Sequence, residues 1–159
     1  MISINANVEV RASLDKVWDI VSDVDRDAEY WSGLSSAKTI RRDGNVIERE
    51  VTVGFMGHKG HQIVKLYPKT SVDIEMTDGP LVGSRKITLS PLGNTKTKIE
   101  ASWHFTFSKV PIFARAFVKS QIENVTKESL EKISLEAEGS MSGSTKNKNK
   151  TQVVLSSSK

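Results

Sequence analysis

Six strand candidates in series, separated by short turns, constrain the fold more than any other feature of this sequence. The candidates span residues 34–42, 46–55, 60–67, 71–78, 81–90 and 95–107. The breaks between them carry turn residues such as Asp43-Gly44 and Pro68-Lys69. Because strands joined by short connections pair as antiparallel neighbours, the sequence predicts an antiparallel meander.

Elements at both ends of the chain complete the predicted fold. Residues 2–11 alternate apolar and polar and predict a first strand, and Ser13 is a suitable N-cap for a short helix after it. A second short helix is predicted around residues 26–31, and a long final helix over residues 112–136. The first half of that last helix is apolar nearly all round, so we expect the sheet to curve around it and enclose it on most sides.

The passage from the first strand into the first helix has a recognisable pattern. An apolar strand leads into the motif Ala12-Ser13-x-x-x-Val17-Trp18, and the aromatic pair Tyr30-Trp31 follows the second predicted helix. In these motifs and in the order of elements over residues 2–137, the sequence resembles the START-like (SRPBCC) superfamily, which includes polyketide cyclase/dehydrase-like, lipid-transport and coenzyme Q-binding proteins.

The resemblance implies an α+β helix-grip fold. In this fold a seven-stranded curved antiparallel sheet surrounds a long C-terminal helix, with two short helices after the first strand. It also implies an apolar ligand pocket between the sheet and the helix. The motif that carries the resemblance is a signature of the fold and contains no catalytic group of its own.

Charge divides the chain near Gly139. Residues 1–138 carry 19 basic and 19 acidic side chains, whereas the residues beyond them carry four lysines and no acid. We therefore expect a START-like ligand-binding domain over residues 1–138 and a flexible basic tail over residues 139–159. Within that tail, Val153-Val154-Leu155 is an apolar exception that could dock on the domain. Because the domain is formally neutral, nucleic acid is not an expected partner.

Several site classes are not expected. The chain has no cysteine, signal-peptide pattern or membrane-length apolar run, which favours a cytoplasmic protein without stable membrane insertion. His58, His61 and His104 lack the spacing of zinc ligands, and the carboxylates of residues 19–29 lack the glycine and terminal glutamate of a calcium loop. We therefore expect no metal and no cofactor, and the sequence identifies no catalytic residue and no oligomeric state.

Two arginines are the most informative candidates for a binding site. Strand alternation places Arg49 on the face of Ile47 and Val51, and Arg85 on the face of Ile87 and Leu89. A charge on the inner face of a sheet costs free energy unless it is paired or solvated, and such a charge often marks a ligand site. A register slip or a bulge would instead turn either arginine outward. Aromatic and flexible apolar side chains supply the rest of the predicted lining: Trp31, Phe55, Tyr67, Met76, Trp103, Phe105, Phe113 and Phe117.

Three functions fit these features. The first is binding or transport of a small hydrophobic ligand, such as a lipid, an isoprenoid quinone or a polyketide-like molecule. In that case Phe113 and Phe117 are expected to pack against Phe105 and Phe107, directly or across a cavity, with the helix start as the gate. The second is an enzyme of the cyclase/dehydratase kind, in which Tyr67, Arg49, Arg85 or His61 moves protons. The third is a chaperone- or ribosome-associated interaction protein, for which the basic tail is the support.

Overall fold

Among the residues that the structure describes, an eight-stranded antiparallel sheet and one long helix form the body of the protein. The structure is a computed structural model that describes residues 1–54, 57–139 and 152–158. The strands are β1 Ile2–Val10, β2 Leu34–Asp43, β3 Val46–Val53, β4 His58–Tyr67, β5 Ser71–Met76, β6 Leu81–Pro91, β7 Thr97–Phe107 and β8 Val154–Ser158. The helices are α1 Leu14–Val21, α2 Asp27–Tyr30 and α3 Arg115–Glu138, with 3₁₀ turns at Val24–Arg26 and Ile112–Ala114.

The sheet follows the predicted meander. Its strand order is β2-β3-β4-β5-β6-β7-β1-β8, so every neighbour from β2 to β7 is also the next strand in the chain. β1 closes beside β7 in a register that sets Ile4 opposite Trp103 and Val8 opposite Ile99. Because side chains alternate along each strand, these pairs lie on one inner face, which packs against α3 and forms the core.

The two short helices after β1 form where the sequence places them. Ser13 caps α1, with its hydroxyl oxygen accepting a hydrogen bond from the Lys16 amide at 3.3 Å. The second predicted helix consists of a 3₁₀ turn followed by the single turn α2. Val24, Asp27 and Tyr30 are all buried there, so this short segment contributes to the interior of the domain.

Helix α3 covers the inner face with one stripe of its surface. Its buried positions are Val118, Ile122, Thr126, Ser129, Leu130, Ile133, Ser134 and Ala137. The side chains just before that stripe are not enclosed, since Phe113 is 90% and Phe117 62% exposed. The expectation that the apolar first half of this helix is surrounded on most sides is therefore wrong. The sheet contacts one helix face, and these two rings lie on another.

The C-terminal segment adds a strand that the sequence did not predict. Residues Val154 to Leu155 and the serines after them pair antiparallel with β1, so the sheet has eight strands instead of seven. Val153, just before the strand, is partly buried against the core. The expectation of a flexible tail over residues 139–159 is therefore wrong for residues 152–158, while residues 140–151 and 159 lie outside the described part of the chain.

Gly83 lets β6 and β7 approach closely beside the inner face. Its φ angle is +148°, and a Cβ atom there would lie 2.0 Å from the carbonyl oxygen of His104 and 2.6 Å from the Cα atom of Phe105. Both neighbours are backbone atoms that cannot move aside independently. Glycine is therefore required two residues before Arg85.

Candidate ligand site on the inner face of the sheet

Arg49 is a fully buried charged side chain on β3, with only 1% of its surface exposed. Its Nε and Nη2 atoms donate to Oε1 of Gln62 on β4, at 3.0 and 2.8 Å. Its Nη1 atom donates to the carbonyl oxygen of Val24 at 3.2 Å. Because Arg49 shares the inward parity of Ile47 and Val51, strand alternation carries a guanidinium into the core, and these acceptors hold its plane in one orientation.

Asp27 joins the two inner arginines. Its Oδ2 atom lies 2.9 Å from Nη1 of Arg49 and 3.6 Å from Nη2 of Arg85. Among the described residues, no donor reaches that oxygen with hydrogen-bond geometry, so both contacts are ion pairs without an aligned N–H. We call Asp27, Arg49 and Arg85 the buried charge cluster. It contains two guanidinium groups and one carboxylate.

Arg85 is the less satisfied member of the buried charge cluster. Its guanidinium carbon lies 3.9 Å from the ring centre of Trp31 and 5.6 Å from that of Trp103. Its Nε atom is buried and has no hydrogen-bond acceptor in the described part of the protein. Burial lowers the pKa of Arg85 to about 10, with Asp27 opposing that shift and Arg49 adding to it. The group stays charged near neutral pH, so the cluster holds a positive excess inside the domain.

A row of aromatic rings borders the charge cluster. Trp31 meets Trp103 edge to face at 6.2 Å, Trp103 meets Phe105 at 6.1 Å, and Phe105 meets Phe107 at 5.5 Å. Trp103 donates its indole N–H to the Thr126 hydroxyl of α3 at 2.9 Å, which ties the row to the helix. The inner face thus offers polarisable apolar surface next to excess positive charge.

The structure brings together six of the ten side chains that the sequence suggested for a pocket. Buried on the inner side of the domain are Trp31, Arg49, Met76, Arg85, Trp103 and Phe105. Tyr67 is 47% exposed because it has the outward parity of Lys65 on β4. Phe113 and Phe117 are exposed, so the expected packing of these rings against Phe105 and Phe107 is wrong. Phe55 lies outside the described residues.

Two polar residues of the site were not among the sequence-based candidates. Gln62 has the inward parity of Gly60 and Val64, so strand alternation alone could have found it. Asp27 belongs to a run of carboxylates that looks like a solvated surface. Its spacing from Val24 and Tyr30, three residues on each side, was the available signal that it faces the interior.

Other features of the described residues give weaker evidence of a catalytic, metal-binding or membrane-spanning role. His61 lies beside Asp78 at 3.3 Å, and both side chains are substantially exposed. No group of histidine and carboxylate side chains among residues 1–54, 57–139 and 152–158 could hold a metal ion. None of the helices in the same residues combines the length and the apolar character needed to span a bilayer. A surface groove of about 600 Å³ runs beside the start of α3, between Ile2, Phe107 and Ala116.

The comparison with protein families decides the classification. Residues 1–138 match the profile of the family described as polyketide cyclase / dehydrase and lipid transport. The chain belongs to this family. The match spans β1 through the end of α3, and it places the protein in the START-like superfamily that the Ala12-Ser13-x-x-x-Val17-Trp18 motif suggested.

Solved structures with the same fold support this classification. The Zhui aromatase/cyclase from Streptomyces sp. R1128 is 15% identical, with a TM-score of 0.78 over 91% of this chain and 99% of that one. A START superfamily protein from Mycobacterium smegmatis is 17% identical, with a TM-score of 0.67 over 86% of this chain and 99% of that one. No curated protein matches the sequence. Family and fold together support a role in binding hydrophobic ligands or in cyclisation.

Proposed function

We propose that residues 1–138 form a domain that binds a small apolar molecule bearing a carbonyl or anionic oxygen, held between the inner face of the sheet and α3. The observation that carries this proposal is the composition of the buried charge cluster. Two guanidinium groups share one carboxylate, and Nε of Arg85 has no acceptor among the described residues. A ligand oxygen at Arg85 would supply the missing acceptor.

The charge balance of the cluster favours an oxygen-bearing ligand over a plain hydrocarbon. A buried charge without a matching partner destabilises a fold, so a charge retained in the core favours a role that compensates for this cost, such as ligand binding. Arg85 retains its charge although burial and Arg49 both act against it. Charge-assisted hydrogen bonds from a guanidinium to a carboxylate, enolate or phenolate are among the stronger polar contacts in proteins.

The aromatic row would hold the apolar part of the ligand. Trp31, Trp103 and Phe105 present ring faces and edges within van der Waals reach of one another, beside the guanidinium of Arg85. A flat or isoprenoid ligand gains affinity on such a surface from dispersion and from apolar area removed from water. Its polar end would replace Trp31 as the neighbour of Arg85 and thereby fix its orientation.

Cyclisation of a polyketide-like chain is the second candidate, and the similarity to an aromatase/cyclase favours it. A guanidinium beside an enolate oxygen would stabilise the charge that develops in an aldol-type ring closure. Of the four proton-transfer candidates from the sequence, Arg49 and Arg85 lie inside the domain, whereas Tyr67 and His61 are exposed. This function uses the same site and adds turnover to binding.

A paired-ligand experiment tests the binding proposal. Intrinsic fluorescence titrations would compare 2-naphthoate with 2-methylnaphthalene, which share an aromatic frame and differ in the anionic group. Arg85→Met should weaken 2-naphthoate binding by about tenfold to a hundredfold and leave 2-methylnaphthalene binding nearly unchanged, because only the anion loses a charge-assisted bond. Arg41→Met, on the exposed strand β2, serves as the control and should change neither titration.

Two outcomes would contradict the proposal. Equal loss for both ligands would mean that Arg85 maintains the fold and does not recognise an oxygen. Unchanged binding of both ligands would place the site elsewhere. Native mass spectrometry of the freshly purified protein adds an independent readout, since a retained ligand should contain an ionisable or carbonyl oxygen.

A further inference from the structure

We propose that the start of the last helix docks on the surface of an anionic lipid bilayer. We call Ile112, Phe113, Ala116, Phe117 and the neighbouring Lys109 the helix-start face. This inference goes beyond the proposed function and does not depend on which ligand, if any, occupies the inner face of the sheet.

Exposed apolar area on the helix-start face is unusually large for so short a segment. Phe113 is 90%, Ile112 81% and Phe117 62% exposed, within six consecutive residues. Single exposed apolar side chains are ordinary on protein surfaces, but contiguous apolar patches mark interaction sites. Leu135, near the other end of α3, is also exposed and stands apart from this group. The 3₁₀ turn before α3 and the first turn of α3 therefore form the surface that is suited to a partner.

Helical spacing aligns these side chains on one side of the chain. Residues 112 and 116, and residues 113 and 117, are four positions apart, so each pair lies one turn apart on the same face. Pro111 precedes them and is exposed as well. A flat apolar surface could contact all of these side chains of the helix-start face at the same time. The buried stripe of α3, which begins at Val118, packs on the sheet instead.

Charge around the helix-start face indicates the chemistry of the partner. Residues 108–122 contain Lys109, Arg115 and Lys119 and no acidic side chain. Lys119 is paired with Glu123, and Arg115 donates to the carbonyl oxygen of Val110. Lys109 is exposed and lies near enough to Asp78, from the loop after β5, to help lower the pKa of that carboxyl, so the border carries more basic than acidic groups without being purely basic. An apolar ridge with basic side chains at its border is the arrangement of interfacial helices that bind anionic lipid.

The surface groove beside the helix-start face extends the same pattern. Its volume is about 600 Å³, and its apolar wall consists of Met1, Ile2, Phe107 and Ala116, with Arg115 and Lys119 in the same lining. An acyl chain would fit the apolar wall while its phosphate met the basic side chains. The groove and the helix-start face thus form one continuous surface that is suited to binding lipid.

A second copy of this chain fits the helix-start face less well. Two copies related by a twofold axis would bring the same surface patch together, so each basic border would face a basic border. Like charges at close range oppose such a contact. The acidic surface of a bilayer that contains phosphatidylglycerol offers the complementary sign.

Vesicle flotation with the full chain tests the proposal. We expect binding to vesicles of phosphatidylcholine with about one third phosphatidylglycerol, weak binding to phosphatidylcholine alone, and release at about 0.5 M NaCl. Phe113→Ser with Phe117→Ser should reduce the bound fraction about tenfold or more, because the apolar contact is lost. Leu135→Ser is the matched control, since it removes an exposed apolar side chain from the same helix.

Charge variants separate the electrostatic part of the contact. Lys109→Glu should lower binding to anionic vesicles about threefold or more, whereas Lys127→Glu, an exposed lysine farther along α3, should leave it unchanged. The proposal is overturned if the Phe113→Ser, Phe117→Ser protein binds anionic vesicles as the wild type does. It is also overturned if the wild type floats with neither lipid and instead forms a dimer that this variant abolishes. Circular dichroism of each variant confirms folding.

Discussion

The buried charge cluster and the helix-start face depart from the usual distribution of side chains between core and surface in two opposite ways. In the first, three charged groups lie inside the domain, with Arg49 1% exposed and Arg85 5% exposed. In the second, Phe113 lies almost wholly in water at 90% exposure. Ordinary folding would place the aromatic ring inside and the guanidinium groups outside.

The two regions differ in what they cost the folded protein. Desolvated charges destabilise the domain directly, and in this cluster two guanidinium groups share the single carboxylate of Asp27. An exposed aromatic ring contributes little to the stability of the monomer in either direction, and its cost falls on solubility and self-association. Stability measurements should therefore respond strongly to the cluster and barely to the helix-start face, and the following experiments separate the two.

Asp27→Asn should produce the largest effect. It leaves two buried guanidinium groups without a carboxylate, and we expect the free energy of unfolding to fall by about 3–5 kcal/mol. Urea unfolding followed by fluorescence measures it. Asp25→Asn is the control, because Asp25 forms an exposed ion pair with Arg42 at 3.4 Å and should cost about 1 kcal/mol or less. Similar losses of unfolding free energy for both variants would mean that the buried carboxylate of Asp27 stabilises the fold no more than an exposed one.

Tyr30→Phe should lower the free energy of unfolding by about 1 kcal/mol. The Tyr30 hydroxyl donates to Glu136 at 2.6 Å, and both burial and this bond raise the pKa of Tyr30 above its ordinary value of 10.0. The contribution is therefore complete below pH 10 and is lost as pH rises through the folded-state pKa. The difference between wild type and Tyr30→Phe should be constant from neutral pH to about pH 10 and shrink above it. If the difference in free energy of unfolding between the two proteins instead grew above pH 10, the Tyr30–Glu136 hydrogen bond would not be the source of the stabilisation.

Arg85→Met should leave stability unchanged or raise the free energy of unfolding by about 1 kcal/mol, because it removes the excess charge and leaves Asp27 paired with Arg49. Arg49→Met is the informative partner variant. It deprives Gln62 and the carbonyl of Val24 of their donor and should be destabilising by about 2 kcal/mol. Calorimetry of both variants checks this opposite behaviour, and equal destabilisation would refute the idea that Arg85 is retained for ligand binding.

Removing β8 should cost about 1 kcal/mol or less, because all of its side chains are exposed and its gain is mainly backbone pairing with β1. A chain that ends after residue 151 keeps most of the basic tail and lacks the strand. Its thermal unfolding should resemble that of the full chain, and its β1 amides should exchange faster with deuterium. A drop of many degrees would show that Val153 and β8 anchor the core.

Phe113→Ser should have the smallest effect, within about 0.5 kcal/mol of wild type in urea unfolding. Phe105→Ser, a fully buried ring on β7, is the contrasting variant and should be strongly destabilising. A large loss from Phe113→Ser would mean that this ring packs within the monomer in solution.

Much of the fold could be predicted because its signals are local. Turn residues such as Asp43-Gly44 separate the strands, and β1 to β7 begin and end within two residues of the predicted bounds. Alternation also placed Arg49 and Arg85 on the same face as their apolar neighbours, where the structure buries them. These features depend on residues a few positions apart, which a single sequence displays directly.

The remaining features depend on distant parts of the chain. Helical periodicity at Phe113 and Phe117 shows apolar character, but it does not show where the sheet stops covering the helix. β8 has a serine-rich sequence whose pairing with β1 is made by backbone groups, so its side chains carry little strand signal. Asp27 lies in a helix of one turn, which is too short for a hydrophobic pattern to reveal its buried side.

The stacking of Arg85 on Trp31 gives the protein an optical probe of its own site. The chain has three tryptophans, and two of them, Trp31 and Trp103, lie 6.2 Å apart beside this guanidinium. Indoles at that separation couple their electronic transitions, so their near-ultraviolet circular dichroism reports their mutual angle. A molecule that displaces Arg85 from the Trp31 ring would change both the tryptophan emission wavelength and the near-ultraviolet circular dichroism, and no added label would be needed. Occupancy of the inner face could therefore be followed in unmodified protein, at the wavelengths where only tryptophan responds.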